Sequence, residues 1–217
     1  MEYTIKQGDT LSKIAQKFKL PVSAILAANP QIISPDNIAT GQVIHLLNID
    51  DLPAAATFEV PGLQSSFVLR ARSVVNCDIK YKLGSGGMNP TDKLPSSDKL
   101  CDCSGFVCWV FGLSRQTKIP FYKQYGGWIF TDSMVEDINR STGIFERLTV
   151  PVEGCIVVYG AGRNIGHVGI VSQVKNNVMQ KVIHCSSGNS RKFNAAIQET
   201  APTVFNRPDA LWGKFVG

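Results

Sequence analysis

The stretch from Ile49 to Gly62 constrains this chain more than any other. It combines Asp50, Asp51 and Glu59 with Ala54, Ala55 and Ala56 and with the rings of Pro53 and Pro61, a charged, small-residue composition that resists regular structure. Whatever lies on either side must bury its own apolar residues, and 217 residues suffice for two such units. The division expected is an N-terminal unit over 1–48, a linker over 49–62 and a larger unit over 63–217.

Charge follows the same division. Four Lys against three acids leave residues 1–48 nearly balanced, the linker is acidic, and residues 63–217 hold more than the whole net excess of +5. A basic body suits an anionic polymer. No nucleic-acid-binding motif accompanies it, so nucleic acid is not an expected partner. No apolar run is long enough to span a bilayer, and membrane insertion is not expected. Met1–Lys6 has neither the basic start nor the apolar stretch of a signal peptide, so the expectation is synthesis in the cytoplasm and delivery by another route.

Six cysteines, at 77, 101, 103, 108, 155 and 185, could pair only in an oxidising compartment. Cys101, Cys103 and Cys108 crowd together, but they are not spaced C-x-x-C, and His167 and His184 lie far downstream. Free thiols with one reactive member are expected, and no metal or organic cofactor.

In the first unit Tyr3–Lys6 alternates as a strand, Gly8-Asp9 turns, and Asp9 or Thr10 caps a helix carrying Leu11, Ile14, Ala15 and Phe18 on one face. Pro21 opens a second helix facing Val22, Ile25 and Leu26 inward, and Val43–Leu46 is a closing strand. Tyr3-Thr4, Gly8-Asp9-Thr10-Leu11, Ile14-Ala15, Phe18, Leu26, Ala28-Asn29-Pro30, Ile38 and Gly41-Gln42 resemble the LysM module. That resemblance implies a βααβ fold and binding of N-acetylglucosamine-containing glycan, chiefly peptidoglycan, through residues 1–48.

The second unit reads as α+β: helices first, then an antiparallel sheet. Phe67, Arg70, Ala71, Val74 and Val75 suggest an amphipathic helix, Gly84-Ser85-Gly86-Gly87 a loop, and Thr131–Ser141 a further helix. From Gly154 the pattern turns to strands at 155–159, 167–174 and 178–185, with a tail able to add more. Cys103 opens a helix with Phe106, Val107, Val110 and Phe111 on one face. At a helix N-terminus unpaired N–H groups and the macrodipole favour a thiolate and can hold an oxyanion. His167 begins one strand and His184 nearly ends the next. Pairing Val174 with Asn177 sets the two imidazoles directly opposite, whereas an Asn176-Asn177 turn makes them diagonal neighbours on one face.

Asp102-Cys103-Ser104-Gly105-Phe106-Val107, Gly166-His167-Val168-Gly169-Ile170 and Val182-Ile183-His184 resemble, in order, three motifs of the NlpC family of cell-wall cysteine peptidases, over residues 66–190. The resemblance implies a papain-like fold with Cys103 as nucleophile, His167 as general base, His184 as its orienter and Tyr81 assisting at the oxyanion. Asp102 and Ser104, flanking the nucleophile, are candidate substrate contacts. In relatives the bond cut usually joins D-γ-glutamate to a diamino acid of the stem peptide. An N-acetylmuramoyl-L-alanine amidase using the same residues is a second reading, and a non-catalytic wall-binding adaptor a third. Phe121, Tyr122, Tyr125, Trp128 and Phe130 could wall a substrate groove or simply fill the core. A wall enzyme with no export signal suggests a phage lysin freed at lysis, or an antibacterial effector passed to a rival by a secretion system and held in check by a cognate immunity protein.

Overall fold

The computed structural model describes residues 2–18, 25, 28, 29, 31, 32, 38–46, 61–160 and 165–217. Packing divides the chain into Met1–Ser66 and Phe67–Gly217. No helix among the described residues is long and apolar enough to cross a membrane.

In the first unit β1 (Glu2–Thr4) pairs antiparallel with β2 (Val43–His45), with Tyr3 opposite Ile44. The helix α1 (Leu11–Phe18) sets Leu11, Ile14 and Ala15 on Ile5, Ile25, Ile32, Ile44 and Leu46, all buried. Thr10 Oγ1 caps α1 by accepting from Lys13 N at 3.2 Å. Asp9 instead holds the turn, accepting from Lys6 N at 2.9 Å and Tyr3 Oη at 2.8 Å. Asn29 is fully buried, and its amide donates to the Ile25 and His45 carbonyls and accepts from His45 N, so both its nitrogen and its oxygen are satisfied. Most of the expected second helix lies outside the described residues; Ile25 is helical and buried.

Residues 49–60 of the expected linker also lie outside the described residues. The helix α2 (Pro61–Arg72) starts two residues inside that stretch, because a proline at the first helical position lacks only an N–H that would be unpaired anyway. It ends at Arg72, short of Val74 and Val75. Beyond it come β3 (Lys80–Tyr81) and β4 (Leu100–Cys101), a short parallel pair, and then α3 (Cys103–Val110). A 3₁₀ turn over Pro120–Tyr125 leads to α4 (Thr131–Arg140).

The sheet contains β5 (Phe145–Leu148), β6 (Ile156–Tyr159), β7 (His167–Lys175), β8 (Val178–Cys185), β9 (Ile197–Thr200) and β10 (Leu211–Phe215); α5 (Ser187–Phe193) joins β8 to β9. Its spatial order is β5-β10-β6-β7-β8-β9, antiparallel throughout, so the unit is α+β. The tail thus supplies an edge strand, β9, and an interior one, β10.

Every residue of α3 is buried, not one face of it. Val168, Ile170 and Ile183 pack on its sheet side, while the Gly-rich loop closes on its N-terminus. There a Cβ at Gly105 would stand 2.5 Å from the Ser85 carbonyl oxygen, and one at Gly87 would stand 2.4 Å from that of Gly105. These glycines let two backbones touch.

Candidate active site

Asp102 and Cys103 sit where β4 ends and α3 begins. Asp102 is extended and acts as N-cap, its carboxylate accepting from Gly105 N at 2.8 Å and from Ser104 Oγ at 3.1 Å. The other carboxylate oxygen accepts from Gly84 N at 2.7 Å and from Arg115 Nη2 at 2.8 Å. Arg115 also reaches Ser104 Oγ at 2.9 Å and the Ser85 carbonyl at 3.2 Å. With side chains 1% and 7% exposed, Asp102 and Arg115 form a buried ion pair, so losing either partner would leave the other charge buried and uncompensated. Asp102 and Ser104 therefore spend their polar atoms bracing the loop and helix around the nucleophile.

The Cys103 thiol is 3% exposed and faces the backbone N–H groups of Val168 and Ser104. Burial pushes it up to about 12, with the Asp102 charge adding to the rise; those N–H groups and Arg115 act in the opposite sense. Burial in the core thus works against the thiolate that the helix terminus favours. Cys155 is pushed up to about 12 as well, and Cys108 and Cys185 are raised, so what sets Cys103 apart is its neighbours. All six thiols are unpaired.

One of those neighbours is the start of β7. His167 immediately precedes Val168, whose N–H faces the thiol. Across the hairpin Lys175 pairs with Val178 and Ile170 with Ile183, the register of an Asn176-Asn177 turn, and both asparagines take positive φ, 51° and 59°. His167 and His184 are thus diagonal neighbours. They join directly, His167 Nε2 to His184 Nδ1 at 2.8 Å. Gly169 makes room: a Cβ there would stand 2.5 Å from Val182 Cγ1 and 3.0 Å from His184 Cβ. His184 Nε2 in turn lies 3.0 Å from Thr200 Oγ1 on β9.

Phe205 roofs the pair, stacked on His167 with ring centroids 5.1 Å apart and edge-on to His184 at 5.5 Å. This burial pushes His167 down to about 3, helped by its proximity to His184, and pushes His184 down to about 4. At neutral pH thiol and imidazoles are all uncharged, and no thiol–imidazole hydrogen bond forms among the described residues. Tyr81, half-buried on β3, lies within electrostatic reach of Cys103 and Asp102; burial first, and those charges next, raise its phenol.

The aromatic stretch divides between the two roles open to it. Tyr122 is core, its hydroxyl donating to Asp137 at 2.7 Å. Tyr125, Trp128 and Phe130 line a cavity of about 390 Å³ with Gly84 and Arg115, next to the Asp102 bridge.

Residues 3–46 match the family model of the LysM domain, and residues 95–189 match that of the CHAP domain. The chain carries a LysM domain followed by a CHAP domain. Over 42 residues it is 50% identical to the secreted LysM effector ECP6 of Passalora fulva, covering 19% of this chain and 18% of that one. The endolysin of Bacillus phage PZA is 48% identical over 44 residues (20% of this chain, 17% of that one), and that of Bacillus phage B103 is 46% identical over 46 (21% and 18%). The chain thus spans less than a fifth of each of these relatives. An overlay on the NlpC/p60 domain of the peptidoglycan hydrolase SagA covers 70% of this chain and 98% of that one, with a TM-score of 0.38 and 15% identity.

The CHAP match contains Asp102, Cys103, Ser104, His167 and His184 and lies within the 66–190 stretch that carried the NlpC resemblance. Tyr81, Thr200 and Phe205 fall outside it. Sequence reading missed Arg115, Thr200 and Phe205. A buried N-cap aspartate beside the nucleophile does call for a cation, but nothing in the sequence around Arg115 shows that this residue supplies it.

Proposed function

We propose that this chain is a peptidoglycan hydrolase in which the LysM domain holds the glycan and Cys103 cuts an amide of the stem peptide. The carrying observation is Cys103 at a buried helix N-terminus, against the Val168 N–H and beside the hydrogen-bonded His167–His184 pair. His167 takes the thiol proton as sulfur attacks the carbonyl, because both groups start uncharged. The oxyanion forms at the N-terminus of α3, where the Cys103 N–H has no helical partner, and the Tyr81 hydroxyl assists. His167 then gives the proton to the leaving amine, and water, deprotonated by the same imidazole, releases the acyl group and restores the thiol. His184 orients His167.

The cavity bounded by Tyr125, Trp128, Phe130, Gly84 and Arg115 takes the substrate flanking the cut. The bond we favour is D-γ-glutamyl–diamino acid, as the NlpC resemblance suggests. The same residues would serve an amidase, and mass analysis of digested wall separates the two, since an amidase leaves the lactyl sugar bare. We further propose delivery to the wall by phage lysis or by a secretion system, with an immunity protein in the second case.

The decisive experiment is release of soluble fragments from purified wall by Cys103→Ala, compared with Cys101→Ala, Cys108→Ala and Cys155→Ala. Only the first should abolish release. Full activity in a folded Cys103→Ala protein overturns the reading.

A further inference from the structure

The direction of the hydrogen bonds across β7, β8 and β9 carries one step more, resting on the catalytic reading above. Two neutral imidazoles joined Nε2 to Nδ1 can hold their protons in either of two orders. In one, His184 donates from Nδ1 and the proton of His167 sits on Nδ1, which blocks the nitrogen needed to accept from a thiol. In the other, His167 donates from Nε2, its Nδ1 lone pair is bare, and the proton of His184 sits on Nε2. The 2.8 Å contact is compatible with both. Something outside the pair has to choose.

Thr200 stands at the far end of the chain of contacts. Its Oγ1 is 3.0 Å from His184 Nε2 and 3.0 Å from the carbonyl oxygen of Ala201. A carbonyl can only accept, and a hydroxyl has one proton to give. With that proton donated to Ala201, Thr200 accepts from His184 Nε2–H. The Nδ1 of His184 is then empty and accepts from His167 Nε2–H, which leaves His167 Nδ1 unprotonated. We infer that Thr200 is a positioning residue that fixes the base-competent tautomer of His167 through His184. The strand register permits this: Val182 pairs with Thr200 and His184 with Gln198, so His184 reaches diagonally to β9 as it does to β7.

The test compares Thr200→Val, which keeps shape and strand propensity but removes the hydroxyl, with Thr200→Ser, which keeps the hydroxyl. Nitrogen-15 NMR of the full chain should show both imidazoles protonated at Nε2 in the parent and in Thr200→Ser, and mixed or inverted protonation in Thr200→Val. In wall digestion Thr200→Val should lose about 10–100-fold in kcat, the range seen when the partner of a metal-bound histidine is removed, with KM unchanged, and Thr200→Ser should regain most of it. An Nδ1-protonated His167 in the parent, or unchanged tautomers and kcat in a folded Thr200→Val, overturns the inference. The NMR arm needs no turnover, so it tests Thr200 even if Cys103→Ala keeps full activity and the catalytic reading itself fails.

Discussion

With His167 held to about 3 and His184 to about 4 by burial, neither imidazole gains a proton over the range in which an exposed histidine titrates. The base form of His167 therefore persists as pH falls, and wall digestion should stay on a plateau well below pH 6.5, its acid limb approaching 4. Phe205→Ala should readmit water to the pair, raise both values and shift that limb upward; a pH–rate profile identical to the parent's would show that Phe205 is not what dries the site. The same shifts bear on stability. Each folded value lies below the unfolded one near 6.5, so between them the unfolded chain binds more protons. Their stabilisation is complete above about pH 6.5 and is lost as pH falls toward 3–4. Thermal unfolding from pH 7 to 4 should show this slope, and His184→Asn should lessen it. In the same variant turnover should exceed that of His167→Ala, since an amide can still hold the imidazole of His167, whereas loss of an orienter that leaves the wrong tautomer costs about 10⁴.

At the scale of elements, what was legible in the sequence was whatever rests on local chemistry. The Asn176-Asn177 dipeptide announced its turn, and the two registers weighed for it left the histidines on one face in either case; the structure selects the diagonal one. Cys103 at the head of α3 followed from the apolar spacing after it. What could not be read is what arrives from far along the chain: Arg115 beneath Asp102, Phe205 over the imidazoles, and β10 between β5 and β6, because nothing local tells a strand which neighbour it will join. The push that burial gives the Cys103 thiol was unreadable for the same reason, since burial is a tertiary property. Two variants probe these joints. Gly169→Ala places a methyl 2.5 Å from Val182 Cγ1, and overpacking of this kind costs about 1–3 kcal/mol; thermal unfolding should register it, together with loss of activity as β8 shifts away from β7. Arg115→Ala leaves Asp102 buried and unpaired, a loss of about 3–5 kcal/mol, and should be the more damaging of the two.

For the molecule as a whole, the two units hold separate apolar clusters among the described residues. Removing residues 1–60 should weaken pull-down with insoluble wall while leaving turnover of a small soluble muropeptide nearly unchanged, because tethering raises local concentration on a polymer and does nothing for a diffusing substrate. Equal loss on both substrates would mean that the first unit builds part of the site. The place of β10 in the sheet has a different reach. Leu211–Phe215 lies between β5 and β6, and β6 is the partner of the strand that bears His167. While Leu211–Phe215 is still inside the ribosome, β6 has one edge unpaired and β5 has no strand partner. A chain halted at Ala210 should show no cooperative melting and no hydrolysis. The sheet that carries His167 is then complete only after translation has passed Phe215.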